Sequence, residues 1–180
     1  MKRFIVVLLA IALGISLCAC GGKTGASGTD TQEFTFQGVT MEIPAAWELS
    51  ENTQDDDYVE FRMENSDQTI DFFIIATKAY VMPGDGLTHE QAAQNLKQFT
   101  EDDATYDSVS EPEIGTFAGQ YDMFSVTCKA HTKLIPSGEK DYFCKICKVY
   151  KDDQTLTFTF RNTENDFSMF DAAIEGALVE

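Results

Sequence analysis

The stretch from Thr69 to Thr77, TIDFFIIAT, constrains this chain more than any other. Ile70, Phe72 and Ile74 alternate with Phe73 and Ile75, so a strand built from it carries apolar side chains on both faces. Such a strand calls for a central place in a sheet that is covered on each side. The rest of the chain has to supply that cover.

The neighbouring segments read as more strands and two helices. Phe34-Thr35-Phe36 and Val39-Thr40-Met41-Glu42-Ile43 alternate apolar and polar, with Gly38 as a turn or bulge residue between them and Pro44 as a stop. Val59, Phe61 and Met63 alternate with Glu60, Arg62 and Glu64, and Asn65-Ser66-Asp67 turns into the two-faced strand. After the break at Pro83-Gly84-Asp85-Gly86, Thr88 and Gln91 form a capping box. Ala92, Ala93, Leu96 and Phe99 then mark one face of a helix that ends near Phe99 or Thr100. Strands are expected over Tyr106 to Phe117, Tyr121 to Lys129, Tyr142 to Lys151 (entered through a turn at Pro136-Ser137-Gly138) and around Leu156, Phe158 and Phe160. Phe167, Phe170, Ile174, Ala177 and Leu178 recur at helical spacing. Strands, a helix, more strands and a closing helix make an α+β domain on an antiparallel sheet.

The run Val39-Thr40-Met41-Glu42-Ile43-Pro44-Ala45-Ala46-Trp47 is similar to the strand with a Pro-x-x-Trp step in the PsbP-like superfamily. That superfamily includes the photosystem II oxygen-evolving subunit, Ran-binding Mog proteins and many bacterial lipoproteins of unassigned role. TIDFFIIAT, the mid-chain helix and the last Phe-containing helix fall in the same order. The resemblance implies an antiparallel sheet flanked by helices, an α-β-α sandwich, over residues 33–180. It carries no metal or photosystem contact over to this chain, and a fold of this kind fixes no activity. Trp47 is expected as a core anchor beside Pro44.

The first residues speak to location. Lys2 and Arg3 precede an uncharged apolar run from Phe4 to Leu17, shorter than the about 20 residues a bilayer crossing wants. Leu17-Cys18-Ala19-Cys20 resembles the lipobox of bacterial lipoproteins, in which the cysteine is lipidated and becomes the first mature residue. Residues 1–19 are thus expected to be a signal peptide and Cys20 the lipid-bearing residue, with two acyl chains giving stable anchoring. Gly21 to Thr31 is rich in glycine and serine, so residues 20–32 read as a tether that suits a Gram-positive surface. The expected site is the outer face of a cell membrane.

Charge narrows the partners. Removing Lys2 and Arg3 takes two of the 13 basic residues and none of the 30 acidic ones, moving the formal net charge from −17 to −19. That repels nucleic acid and anionic headgroups, so no nucleic-acid partner is expected. The acidic groups Asp55-Asp56-Asp57, Glu101-Asp102-Asp103 and Asp152-Asp153 lack the alternating spacing of a calcium loop and read as solvated turns.

Cys144-Lys145-Ile146-Cys147 has CxxC spacing but lies in a strand pattern. Its two thiols would point to opposite faces about 10 Å apart, beyond disulfide reach. The turn at Pro136 to Gly138 brings Cys128 near both, so a structural Cys128 to Cys144 or Cys128 to Cys147 disulfide is expected in an exported protein. Zinc on these thiols and His131 is not expected, nor any cofactor. His89 is expected to be exposed behind the helix cap and His131 to be a solvated loop-end residue. No serine nucleophile elbow and no phosphate-cradling loop are present in the sequence. The expected role is a non-enzymatic interaction or accessory module meeting another extracytoplasmic protein. The alternative is a lipoprotein that binds a small ligand, sugar or cation, and a cell-surface enzyme ranks third.

Overall fold

The structure is a computed structural model and describes residues 30–50, 57–64, 69–79, 82–84, 86–134 and 138–179. The expected signal peptide and Cys20 lie outside the described residues, as do Asp55, Asp56, Pro136 and Ser137. Thr31 and Gln32, expected at the end of the tether, already belong to the first strand.

Two antiparallel sheets form. The smaller joins β1 (Thr31–Phe36), β2 (Val39–Pro44) and β11 (Leu178–Val179) in the order β1-β2-β11. Gln37 and Gly38 both take positive φ, 51° and 72°, so a two-residue turn of the kind that matches strand twist links β1 to β2. The larger sheet holds β3 (Glu48–Leu49), β4 (Tyr58–Glu64), β5 (Thr69–Lys78), β6 (Tyr106–Asp107), β7 (Glu113–Phe117), β8 (Tyr121–Leu134), β9 (Gly138–Lys151) and β10 (Gln154–Asn162). Its order is β3-β4-β5-β10-β9-β8-β6, with β7 also on β8.

One helix covers each face. Helix α1 (His89–Asp102) starts at the expected capping box: Thr88 Oγ1 accepts from Gln91 N–H at 3.1 Å and Gln91 Oε1 accepts from Thr88 N–H at 2.9 Å. Its buried Ala92, Ala93 and Leu96 pack on Phe124, Val126, Cys128, Cys144 and Ile146 of β8 and β9. Helix α2 (Ser168–Glu175) has no cap from Phe167; instead Asp166 Oδ1 accepts from Ser168 N–H at 2.9 Å. Phe170, Ala173 and Ile174 of α2, with Val39, Met41 and Ile43 of β2, cover the opposite face. Trp47 is 1 % exposed there, its ring centroid 5.5 Å from Phe72 and 5.7 Å from Phe160.

The architecture is α+β, a large antiparallel sheet between two helices. Four local expectations change. Helix α1 runs past Thr100 to Asp102 and leaves Phe99 exposed, off the buried face of Ala92, Ala93 and Leu96. The segment from Tyr106 to Phe117 is two short strands, both on β8, because Ser108 takes φ 53° and turns the chain away between them. The last helix stops at Glu175, and Leu178 is an exposed strand residue pairing with Thr40. Finally, β5 is central but not covered on both sides. Ile70, Phe72 and Ile74 are buried toward α2, whereas Ile75 is 37 % exposed, because α1 sits over β8 and β9 and stops short of β5.

Candidate functional site

The part of the α1-bearing face that α1 leaves open carries a row of charged side chains. In antiparallel ladders, directly opposed residues share a face. Arg62 of β4 opposes Asp71 of β5, which opposes Arg161 of β10, which opposes Cys144 of β9, which opposes Cys128 of β8. Five strands thus line up one cross-sheet row. The next row places Glu60, Phe73 and Thr159 side by side, and the one after it Tyr58, Ile75, Thr157 and Lys148.

Arg62 ties together the two acids of the first two rows. Arg62 Nε donates to Asp71 Oδ1 at 2.8 Å, and its terminal nitrogen donates to Glu60 Oε1 at 3.2 Å. Tyr58 OH donates to Glu60 Oε2 at 3.2 Å. The Arg161 guanidinium stacks 4.8 Å from the Phe73 centroid. Asp71 is 1 % exposed and Glu60 6 %. Burial raises the Asp71 carboxyl against the pull of Arg62, and pushes Tyr58 up to about 12, with the Glu60 charge adding to it. Asp71 Oδ2 and Arg161 Nε remain buried without a hydrogen-bond partner.

Sequence reasoning missed this cluster, reading Glu60 and Arg62 only as the polar alternates of a strand. The signal that could have found it is Asp71 itself. An acid inside an apolar strand implies a buried partner, since an unpaired buried charge is too costly. Farther along the same face, Lys148 Nζ lies 5.8 Å from the Tyr150 ring and 6.0 Å from that of Phe99, and burial lowers its pKa.

The three cysteines separate by face. Cys128 and Cys144 lie under α1, and Cys147 lies in the core under α2, opposite Ser125. All three are buried free thiols in the structure. A Cys128 to Cys147 bond, one of the two expected pairings, is excluded because the sheet separates the side chains. Burial pushes the Cys147 thiol up to about 12.

His131 is not a loop-end residue. It stands on β8 with Nδ1 2.5 Å from Asp141 of β9 and Nε2 2.6 Å from Asp107 of β6, so it pins the short β6 strand to the sheet. Hydrogen bonds to Asp141 and Asp107 raise its pKa above the ordinary 6.5, so the clamp's contribution is full below that value and fades as pH rises through the raised one. A His131→Gln variant should therefore lose this part of the pH dependence of unfolding. A variant curve parallel to the parent's across that window would remove the clamp. His89 is exposed as expected, 3.1 Å from Asp122.

The described parts of the acidic groups serve local structure. Asp103 Oδ1 accepts from Thr105 N–H at 2.9 Å, Gln98 donates to Asp102 at 2.9 Å, and Asp152 pairs with Lys151 at 3.0 Å. Among the described residues no three His, Cys, Asp or Glu side chains converge as a metal site would require. A cavity of 460 Å³ lined by Asp57, Ala76, Thr77, Lys78, Asp153 and Gln154 opens at the far end of β5, about 20 Å along the strand from Asp71.

No protein-family model matches the chain, and no curated protein matches it in sequence. Solved structures do match. The cyanobacterial PsbP protein CyanoP of Synechocystis sp. PCC 6803 superposes with a TM-score of 0.52 at 14 % identity, over 89 % of this chain and 98 % of that one. The fold is PsbP-like. Two other solved structures share it. The Ran-binding protein Mog1p of Saccharomyces cerevisiae gives 0.51 at 8 % identity, over 84 % of this chain and 96 % of its own. LpqN of Mycobacterium tuberculosis, involved in cell envelope biogenesis, gives 0.51 at 14 % identity, over 83 % and 91 %. At such identities the likeness concerns the backbone path of the PsbP-like fold and not its side-chain chemistry. Among the described residues no helix is long and apolar enough to cross a membrane.

Proposed function

We propose that this chain is a lipid-anchored, extracytoplasmic accessory module, non-enzymatic, which meets another extracytoplasmic protein through the open half of its sheet. One observation carries the choice of face. Glu60, Arg62 and Asp71 pair with one another, with Arg161 stacked on Phe73 beside them, beneath a half-exposed surface of Tyr58, Phe73, Ile75 and Thr157. Acids and bases engaged with each other in this way hold a surface in shape; they do not present a poised nucleophile or general base. The lipobox at Leu17 to Cys20 supports the anchored location, and the PsbP-like fold is compatible with an accessory role.

Crosslinking and copurification of the full chain from its own membranes tests the reading. The parent should recover one specific partner. Ile75→Asp, which places a charge on an already exposed position of the open face, should reduce that recovery at least about tenfold, the effect of some 1.4 kcal/mol at an interface. Cys20→Ser should release the chain from the membrane fraction. Undiminished recovery with Ile75→Asp would overturn the assignment of the face, and membrane retention of Cys20→Ser would overturn the anchor.

A further inference from the structure

We propose that Cys128 and Cys144 form a cross-strand disulfide when the chain folds in an oxidising compartment, and that Cys147 is held apart as a shielded thiol. The pairing rests on register. Cys128 and Cys144 are directly opposed on β8 and β9 and occupy the same face. Opposed residues of an antiparallel pair have Cα atoms about 4.5 to 5.5 Å apart, inside the range a disulfide spans. Both are buried free thiols that pack in the same cluster. Cys147 faces the other core, where Ser125 opposes it.

Burial bears on when the bond forms. Both thiols lie under α1, with Tyr106 packed beside them and Arg161 next to Cys144 in the row. Interaction with the neighbouring Cys128 thiol, and burial after it, raise the Cys144 thiol far above the ordinary range, so the folded protein holds almost no thiolate there. Closure therefore belongs to folding, before α1 and Tyr106 cover the hairpin. The oxidant is an external disulfide, either a small molecule or a thiol oxidoreductase. One cysteine thiolate attacks it, forming a mixed disulfide and expelling one thiol. The other cysteine then attacks the mixed disulfide and expels the second. The pair loses two electrons and two protons, and the external disulfide becomes two thiols. Once formed, the bond lies behind the same cover that slows its formation in the folded state.

The exported location under Proposed function is needed only as the source of oxidant, so two preparations separate the two ideas. The full chain is refolded from denaturant with oxidised glutathione, and is also recovered from cell membranes without reductant. Each is unfolded in N-ethylmaleimide and digested with trypsin. Cleavage after Lys97, Lys129, Lys140, Lys145 and Lys148 puts Cys128, Cys144 and Cys147, the three thiols that count here, on separate peptides. The refolded chain should give Gln98–Lys129 linked to Asp141–Lys145, with Ile146–Lys148 carrying the label, and Cys147→Ser should leave the link intact. Three labelled thiols in the refolded chain, or a link through Ile146–Lys148, would overturn the pairing. A link in the refolded chain with three labelled thiols in the membrane-derived protein would leave the pairing standing and overturn the exported location.

Discussion

Phe160→Ala should destabilise the domain by roughly 3 to 5 kcal/mol, the usual cost of removing a large aromatic ring from a packed core. Phe160 is fully buried at the junction of the large sheet with α2. Its ring stacks on Phe170 at 5.4 Å and 14°, lies 5.7 Å from Trp47 and meets Phe167 edge-on at 6.2 Å. The α2 segment and the Trp47 segment therefore lose a common neighbour in one substitution. A typical domain is stable by only about 5 to 15 kcal/mol, so the variant would sit near the edge of folding. Urea unfolding should show the midpoint falling with the slope unchanged. Phe99→Ala supplies the contrast. Phe99 is 69 % exposed, and its loss should stay within about 0.5 kcal/mol. Similar midpoints for the two variants would show that the core does not run through Phe160.

Asp71→Ala should cost roughly 2 to 3 kcal/mol. Breaking a buried ion pair by removing one partner usually costs about 3 to 5 kcal/mol, and the cost is lower here because Arg62 keeps its bond to Glu60 and its side chain is 35 % exposed. Asp71→Asn separates charge from shape, keeping an oxygen that can accept from Arg62 Nε. The sign of its pH effect follows from burial, which raises the Asp71 carboxyl above its ordinary 3.8 in the folded protein. Between 3.8 and that raised value the folded state holds the proton more often than the unfolded state does. The Asp71 contribution to stability therefore falls as pH rises through this window and levels off above it. Asp71→Asn should remove that decline and match or exceed the parent above the window. A parent whose stability rises with pH there no faster than that of Asp71→Asn is consistent with this sign; a steeper rise would contradict it, and would mean that Arg62 and Arg161 outweigh burial.

The elements were legible in the sequence because their signals are local. The Thr88 and Gln91 box starts α1, and alternating side chains predict β2, β4 and β10. Trp47 lies in the core as expected. What sequence alone left unresolved depends on which strand lies beside which, since that is set by packing across the whole sheet. The row from Arg62 to Cys128 joins five strands, and no window of neighbouring residues contains it. The choice between Cys144 and Cys147 as the residue opposite Cys128 was open for the same reason, because it turns on a three-residue shift of β8 on β9, and any odd shift exchanges faces. The open half of the α1-bearing face was misread since TIDFFIIAT shows what a strand could bury, and only the position of α1 decides what it does bury.

The small sheet has a mechanical consequence. Strand β2 lies between β1 and β11, the first and last strands of the domain. Thr31 lies beside Pro44 at one end of β2, and Val179 beside Val39 at the other. Tension drawn between the two ends of the domain would thus run along β2 and load its cross-strand hydrogen bonds together, perpendicular to the pull, rather than peeling them one by one. For a domain held from its N-terminal side, that is the arrangement in which a few short strands resist most.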